Sequence, residues 1–441
     1  MTGTPDGWRR LHPLSPLIRS GRTAVGLLAL VGLSQYGRLG HDGGTHLYDG
    51  AAAVLVAAGA VVNWLVTRWK LEPGTLRIET GLLRRDSRQL PVARIQAVDV
   101  ARPFLARALG LAELRVRLAG STHADGRLAY LTEQAALDLR ARLLAAHHGL
   151  DPATPEPDEA VLAVVPTGRL VGSVAASSAS LIAALCVAAI VVTVEFPVAN
   201  AAAGGTAVLW LITLAPMVWR RITTEYGFTV AHAPDGIRIR RGLLGTVAET
   251  VPRSRVQAVR MVEPLLWRPL GWCRLEIDVA GSPGRDRADG PARMRKTLLP
   301  VGPRATAAEL MRLVIGAEPP PVHRPPRRAA AKAPLSYHFL AAGHDHGTVL
   351  SSSGRIRRVT TWLPLSKVQS IRLVSGPVQR RLALATVALD AAGRHVCAEF
   401  RDWDGPAAHR LAEELAGLCR AARQQAGAAP GPAVTPPAPP R

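Results

Sequence analysis

The chain has 441 residues, with 54 Lys and Arg against 33 Asp and Glu and a formal net charge of +21. Its mean hydropathy is +0.12 although 20% of residues are charged, so apolar stretches are segregated from strongly charged ones. Aromatics make up only 4%, too few for the basic and aromatic interleaving of a nucleic-acid surface, so no nucleic-acid partner is expected. Four cysteines (Cys186, Cys273, Cys397, Cys419) form no CxxC pair, which speaks against a zinc site or a disulfide framework.

Residues 1–70 hold a basic lead-in (Arg9, Arg10, Arg19, Arg22) and two apolar segments, 23–37 and 50–66. No small-residue cleavage motif follows, so the first segment reads as an anchor rather than a signal peptide. A second pair of apolar segments, 170–194 and 201–218, fills the stretch 170–219. A bilayer core takes about 20 apolar residues. The first segment is short for that, and its pairing with a neighbour across a brief connection predicts two helical transmembrane hairpins. Arg68, Lys70, Arg169, Arg220 and Arg221 flank the segments, while the hairpin connections hold almost no Lys or Arg. That asymmetry places the connections outside and the rest in the cytoplasm, as in a multi-pass bacterial inner-membrane protein. Trp64, Trp69, Trp210 and Trp219 sit near the segment ends, where interfacial aromatics belong.

Each apolar pair is followed by the same pattern. Gly81, Pro91, Gln96, Arg107 and Gly110 recur as Gly242, Pro252, Gln257, Arg268 and Gly271, at a constant spacing of 161 residues (81 to 242). A weaker third copy keeps Gly354, Pro364, Lys367, Gln369 and Arg380, spaced 112 residues from the second (252 to 364). Repetition at so long a period means duplicated domains rather than a solenoid. Within the copies Leu76 and Ile78 alternate with Arg77 and Glu79, and Leu275, Ile277 and Val279 with Glu276 and Asp278, the signature of half-buried strands. One apolar-striped helix closes each copy, over 132–148, 306–315 and 406–423. The domains span 71–150, 220–316 and 335–425, separated by an acidic Pro-rich linker at 151–169 and a basic one at 317–334; a disordered tail is expected at 426–441.

The string LxIxxGLLxRxxxxLPxxRIQxVxV, followed by RxLGLAxLxVxxAG, resembles the bacterial pleckstrin-homology-like, or membrane-flanked, domain. Gly81, Leu82, Pro91, Arg94, Ile95, Gln96, Arg107, Leu109, Gly110 and Leu111 carry the match in the first copy. Gly242, Leu243, Pro252, Arg255, Val256, Gln257, Arg268, Leu270 and Gly271 carry it in the second, with LLPVGPR at 298–304. The third copy departs at Ala383, where glycine is usual. The resemblance implies a bent β barrel or sandwich closed by a C-terminal helix, with no catalysis and no cofactor. The fold class expected is therefore transmembrane hairpins plus three such α+β domains. The implied role is membrane-associated scaffolding with the lipid bilayer, including anionic headgroups, and a protein as partners. The alternative is tolerance of antimicrobial peptides together with a smaller single-copy relative.

Arg94, Arg255 and Lys367 share one place in a Pro-x-x-(Arg/Lys)-(Ile/Val)-Gln element. They are contacts for lipid phosphates or a partner, or the element is a strand start in which Pro takes an edge and Gln satisfies backbone groups. Arg107, Arg268 and Arg380 form a second trio, docking a loop to headgroups or bonding turn carbonyls. Arg324, Arg327 and Arg328, with His323 and Lys332, are either a membrane-contact patch worth about 1 kcal/mol per cation near anionic lipid or a solvated hinge. His344, Asp345 and His346, near His338, read as a turn rather than a metal site. Ser351, Ser352 and Ser353 with Asp390 and His395 lack a nucleophile elbow, and no phosphate-cradling glycine loop occurs.

Overall fold

Alternating apolar and charged residues build the strands, and glycines turn them. The computed structural model describes residues 7–15, 65–72, 74–81, 86–118, 126–148, 159–195, 197–233, 236–280, 295–392 and 397–428. Two compact units result, one from residues 1–160 and 231–252, the other from 161–230 and 253–441.

In the first unit β1 (Arg9–Arg10), β2 (Arg68–Glu72), β3 (Thr75–Thr80) and β4 (Asp86–Pro91) form an antiparallel sheet in that order. A second sheet holds β5 (Ile95–Arg102), β6 (Leu111–Leu118) and β7 (Gly126–Thr132), with the short helix α1 (Phe104–Ala108) between β5 and β6. Leu76, Ile78 and Leu90 of the first sheet meet Val98, Leu114, Val116 and Leu128 of the second, and Leu139 and Leu143 of α2 (Glu133–His148) close the core. Each such side chain contributes about 1.5–3 kcal/mol by leaving water. The second sheet continues past β5, because strands of the second repeat join its edge. With β8 (Ala160–Val164), β9 (Thr229–Ala233), β10 (Gly236–Arg241) and β11 (Thr246–Val251), the order is β7-β6-β5-β11-β10-β9-β8.

The second unit starts with three helices, α3 (Thr167–Ala175), α4 (Ser178–Glu195) and α5 (Pro197–Glu225). They lead to β12 (Val256–Pro264), β13 (Trp272–Val279), β14 (Arg295–Pro303) and α6 (Arg304–Ile315). After α7 (Ala329–Lys332), the third repeat supplies β15 (Ala341–His344), β16 (Thr348–Ser353), β17 (Arg357–Pro364) and β18 (Val368–Val374). It ends in α8 (Pro377–Arg381), β19 (Leu384–Ala391), β20 (Cys397–Asp404) and α9 (Gly405–Ala428). The sheets run β14-β13-β12-β17-β16-β15 and β18-β19-β20. Val349, Leu363, Val387, Leu389 and Phe400 form the core that Leu415 and Cys419 of α9 cover.

The transmembrane hairpins expected from the sequence need correction. Segments 23–37 and 50–66 lie outside the described residues. Among those described, no single helix is long and apolar enough to cross a membrane. The segment 170–194 is two helices, α3 and α4, bent by 58°, and only together do Thr167–Ala175 and Ser178–Val192 have the length and composition of a span. The segment 201–218 lies inside α5, which contains Pro216 and runs on through Arg220 and Arg221 to Glu225. Polar side chains cause the break. The Ser177 hydroxyl accepts the Ser180 N–H at 3.2 Å, Ser180 Oγ donates to the Val174 carbonyl at 2.5 Å, and Trp267 Nε1 donates to the carbonyls of Ser173 and Ala176. Helix-end groups thus find side-chain partners at the bend, one helix ending and the next being capped there. The architecture of the described residues is mixed α and β with four sheets and no transmembrane hairpin.

Candidate functional site

Proline lacks a backbone N–H and suits a strand end. Pro91 ends β4, Pro364 ends β17, and Pro252 follows β11; each leads into a 3-10 turn, at Val92–Arg94, Leu365–Lys367 and Arg253–Arg255. The basic residue closing each turn goes a different way. Arg94 is exposed, Arg255 Nη2 donates to the Ala280 carbonyl at 2.5 Å, and Lys367 Nζ donates to the Ser254 carbonyl at 2.8 Å. Gln257 is buried and donates to the Arg255 carbonyl at 3.3 Å, whereas Gln369 is exposed; Gln96 lies in β5, with a side chain outside the description. Gly81, Gly242 and Gly354 have φ of 96°, 117° and 101°. A Cβ at Gly242 would fall 1.9 Å from the Gly245 carbonyl oxygen, so only glycine makes this turn.

The second basic trio stands at an apolar tip in each repeat. Phe104, Leu105 and Leu109 are exposed around Arg107, Leu265, Leu266 and Leu270 around Arg268, and Val378 beside Arg380. Arg107 Nη1 donates to the Leu243 carbonyl at 2.7 Å. Arg268 lies 5.4 Å over the Phe339 ring, and its buried Nε and Nη2 have no hydrogen-bond partner among the described residues. Arg380 is exposed on α8. Gly110 and Gly271, which follow the tips, have φ of 66° and 64°, and Ala383 takes the same conformation at 50°.

The basic linker is strapped to the third repeat. Arg328 pairs with Asp404 and donates to the Ala383 carbonyl, Lys332 meets the buried Asp402 at 2.6 Å, and His323 bridges to Ala342. Arg324 and Arg327 remain exposed. Asp345 accepts the N–H groups of Gly347 and Thr348, making the turn before β16, and no group of His, Cys, Asp and Glu among the described residues suits a metal. Burial first, then Glu263, pushes the Cys273 thiol up to about 12, which leaves it a poor nucleophile.

Three successive stretches of the chain, 25–147, 168–318 and 328–418, match the family model of the bacterial PH domain. The chain belongs to the bacterial PH domain family. No curated protein matches it. A charged cluster that no sequence motif marks lies where the first PH domain meets strands of the second. Arg117 Nη2 lies 2.7 Å from Asp99 Oδ2 and 2.7 Å from Glu249 Oε1, and Asp99 also accepts the Thr250 N–H. Burial disfavours the guanidinium charge, but the two carboxylates outweigh it and hold the Arg117 pKa above its ordinary value. A carboxylate inside the apolar run of β5 was the available signal. The PH domains therefore offer sheet edges, apolar tips and basic side chains, an equipment for binding.

Proposed function

We propose that this chain is a membrane-associated interaction protein whose PH domains work at a lipid surface by binding rather than by a reaction. The carrying observation is the exposure of the helices in the second unit. Leu181, Leu185 and Val191 of α4 and Leu209, Ile212 and Met217 of α5 are exposed, at 49 to 69%. So much apolar surface is rare on a soluble monomer, and lipid contact removes it from water. The tips at Leu105, Leu266 and Val378, each beside an arginine, give each PH domain an apolar and basic point for touching lipid, and the net charge of +21 favours anionic headgroups and the cytoplasmic face.

The test is fractionation of the full chain in a bacterial host. In a density gradient it should float with the membranes, and a variant carrying Leu185→Glu and Leu209→Glu should float less. An unchanged chain that stays in the soluble fraction, away from the membranes, would sink the reading. A protein partner that co-purifies in mild detergent, and is lost with the second repeat, would give the interaction its address.

A further inference from the structure

β5 and β12 hold the same place in the first and second PH domains, and a strand of the following repeat covers each. β11 lies on β5 with Thr246 opposite Arg102 and Ala248 opposite Val100. β17 lies on β12 with Arg358 opposite Glu263 and Thr360 opposite Met261. The repeat spacings of 161 and 112 carry the first register onto the second residue for residue. The chain makes one junction twice.

A third set of these strands is left over. Among the described residues, β18, the counterpart of β5 and β12, pairs only with β19, and β4, the counterpart of β11 and β17, pairs only with β3. Exposure follows the difference. Val100 and Ala101 under β11 are 5% and 3% exposed, whereas their counterparts Leu373 and Val374 stand at 39% and 46%. A seven-residue strand with an uncovered edge and exposed apolar side chains is a template for another strand.

We propose that β4 of one copy adds to β18 of a second copy, in the register of the two internal junctions, with Ser87 opposite Leu373 and Gln89 opposite Ile371. A second copy is the fitting occupant because it carries the uncovered strand of the covering type. Charge agrees. Where the first junction sets Arg117 between Asp99 and Glu249, the repeat spacings put Asp390 in place of Arg117, Arg372 in place of Asp99 and Arg88 in place of Glu249. The signs invert as a set, one carboxylate serving two guanidiniums. Arg372 already bonds Asp390 at 2.6 and 3.0 Å, and Arg88, which bonds Asp86 within its own strand, arrives at the same carboxylate. The contact is heterologous, one giving and one receiving edge per copy, so assembly proceeds head to tail. It stands on strand pairing and does not rest on the membrane reading.

The test mixes two full-length chains in detergent, one carrying Ser87→Cys and grown in heavy nitrogen, the other carrying Leu373→Cys. After mild oxidation, mass spectrometry should find heavy–light peptides joined through positions 87 and 373. They should exceed by about tenfold the yield with Val374→Cys, because a one-residue slip sends the side chain to the opposite face. No such link, or equal yields from the two positions, overturns the proposal. Light scattering decides it independently of cysteine chemistry. The mass of the unchanged chain should rise with concentration, and Asp390→Arg, which leaves three cations together, should abolish the rise. A mass that stays at one chain throughout overturns it.

Discussion

The indole N–H of Trp267 lies 3.2 Å from the carbonyl of Ser173 and 3.1 Å from that of Ala176. Those carbonyls end α3, where the helix has no donors of its own to offer. A buried side chain of the second PH domain thus fixes where the apolar helix stops and turns into α4.

Trp267→Phe keeps most of the ring and removes the donor. Two carbonyls beside a buried ring lose their partner, a cost of about 1–3 kcal/mol. The expected result is a lower urea midpoint, with faster amide exchange at the junction of α3 and α4. An unchanged midpoint together with unchanged exchange would show that the cap carries no weight.

Cys273 gives a pH dependence with a definite sign. Burial raises its thiol from 9.0 to about 12 in the folded chain. With the folded value above the unfolded one, its contribution is complete below about pH 9 and is lost as pH climbs toward about 12. Cys273→Ala should therefore lose less stability than the unchanged chain between about pH 8 and about pH 11. Equal losses in the thermal midpoints of the two would contradict this.

Much of the fold is legible in the sequence because it is local. The helices expected at 132–148, 306–315 and 406–423 are found at Glu133–His148, Arg304–Ile315 and Gly405–Ala428. Gly242 and Gly354 mark turns for the reason glycines usually do. The choice of β11 as a partner for β5 is not legible, since ladder hydrogen bonds come from the backbone and leave no side-chain pattern. Nor is the break at Ser177, because hydropathy averages over one serine whose hydroxyl finds a backbone N–H. The candidate arginines were legible as a set but not as individuals. Arg107 reaches a carbonyl, Arg268 an aromatic ring, and Arg380 is exposed, differences that depend on which neighbour the fold brings near.

Ala383 tests the third repeat's departure from glycine. Its φ of 50° matches the 66° and 64° of Gly110 and Gly271. Holding a Cβ in the left-handed region costs about 1–2 kcal/mol, partly offset by the extra freedom glycine has when unfolded. Ala383→Gly should raise the thermal midpoint modestly, and Gly271→Ala should lower it. If both variants fall, the backbone at 383 is not strained.

Arg117→Ala probes the junction inside the first unit. The Asp99 and Glu249 side chains are only 3% and 10% exposed, and the substitution removes the guanidinium that lies between them. Breaking a buried ionic group in this way costs about 3–5 kcal/mol, more than the cluster's net contribution to stability, because the remaining charges stay buried. Loss should concentrate where the charges are, so exchange of β5 and β11 amides should accelerate while the β18-β19-β20 sheet keeps its protection. Adding Asp99→Asn and Glu249→Gln removes both charges and should recover part of the loss. Recovery separates charge burial from mere loss of packing. If the triple variant is no better than Arg117→Ala, the arginine acts through its bulk, and the two PH domains are joined there by backbone pairing alone.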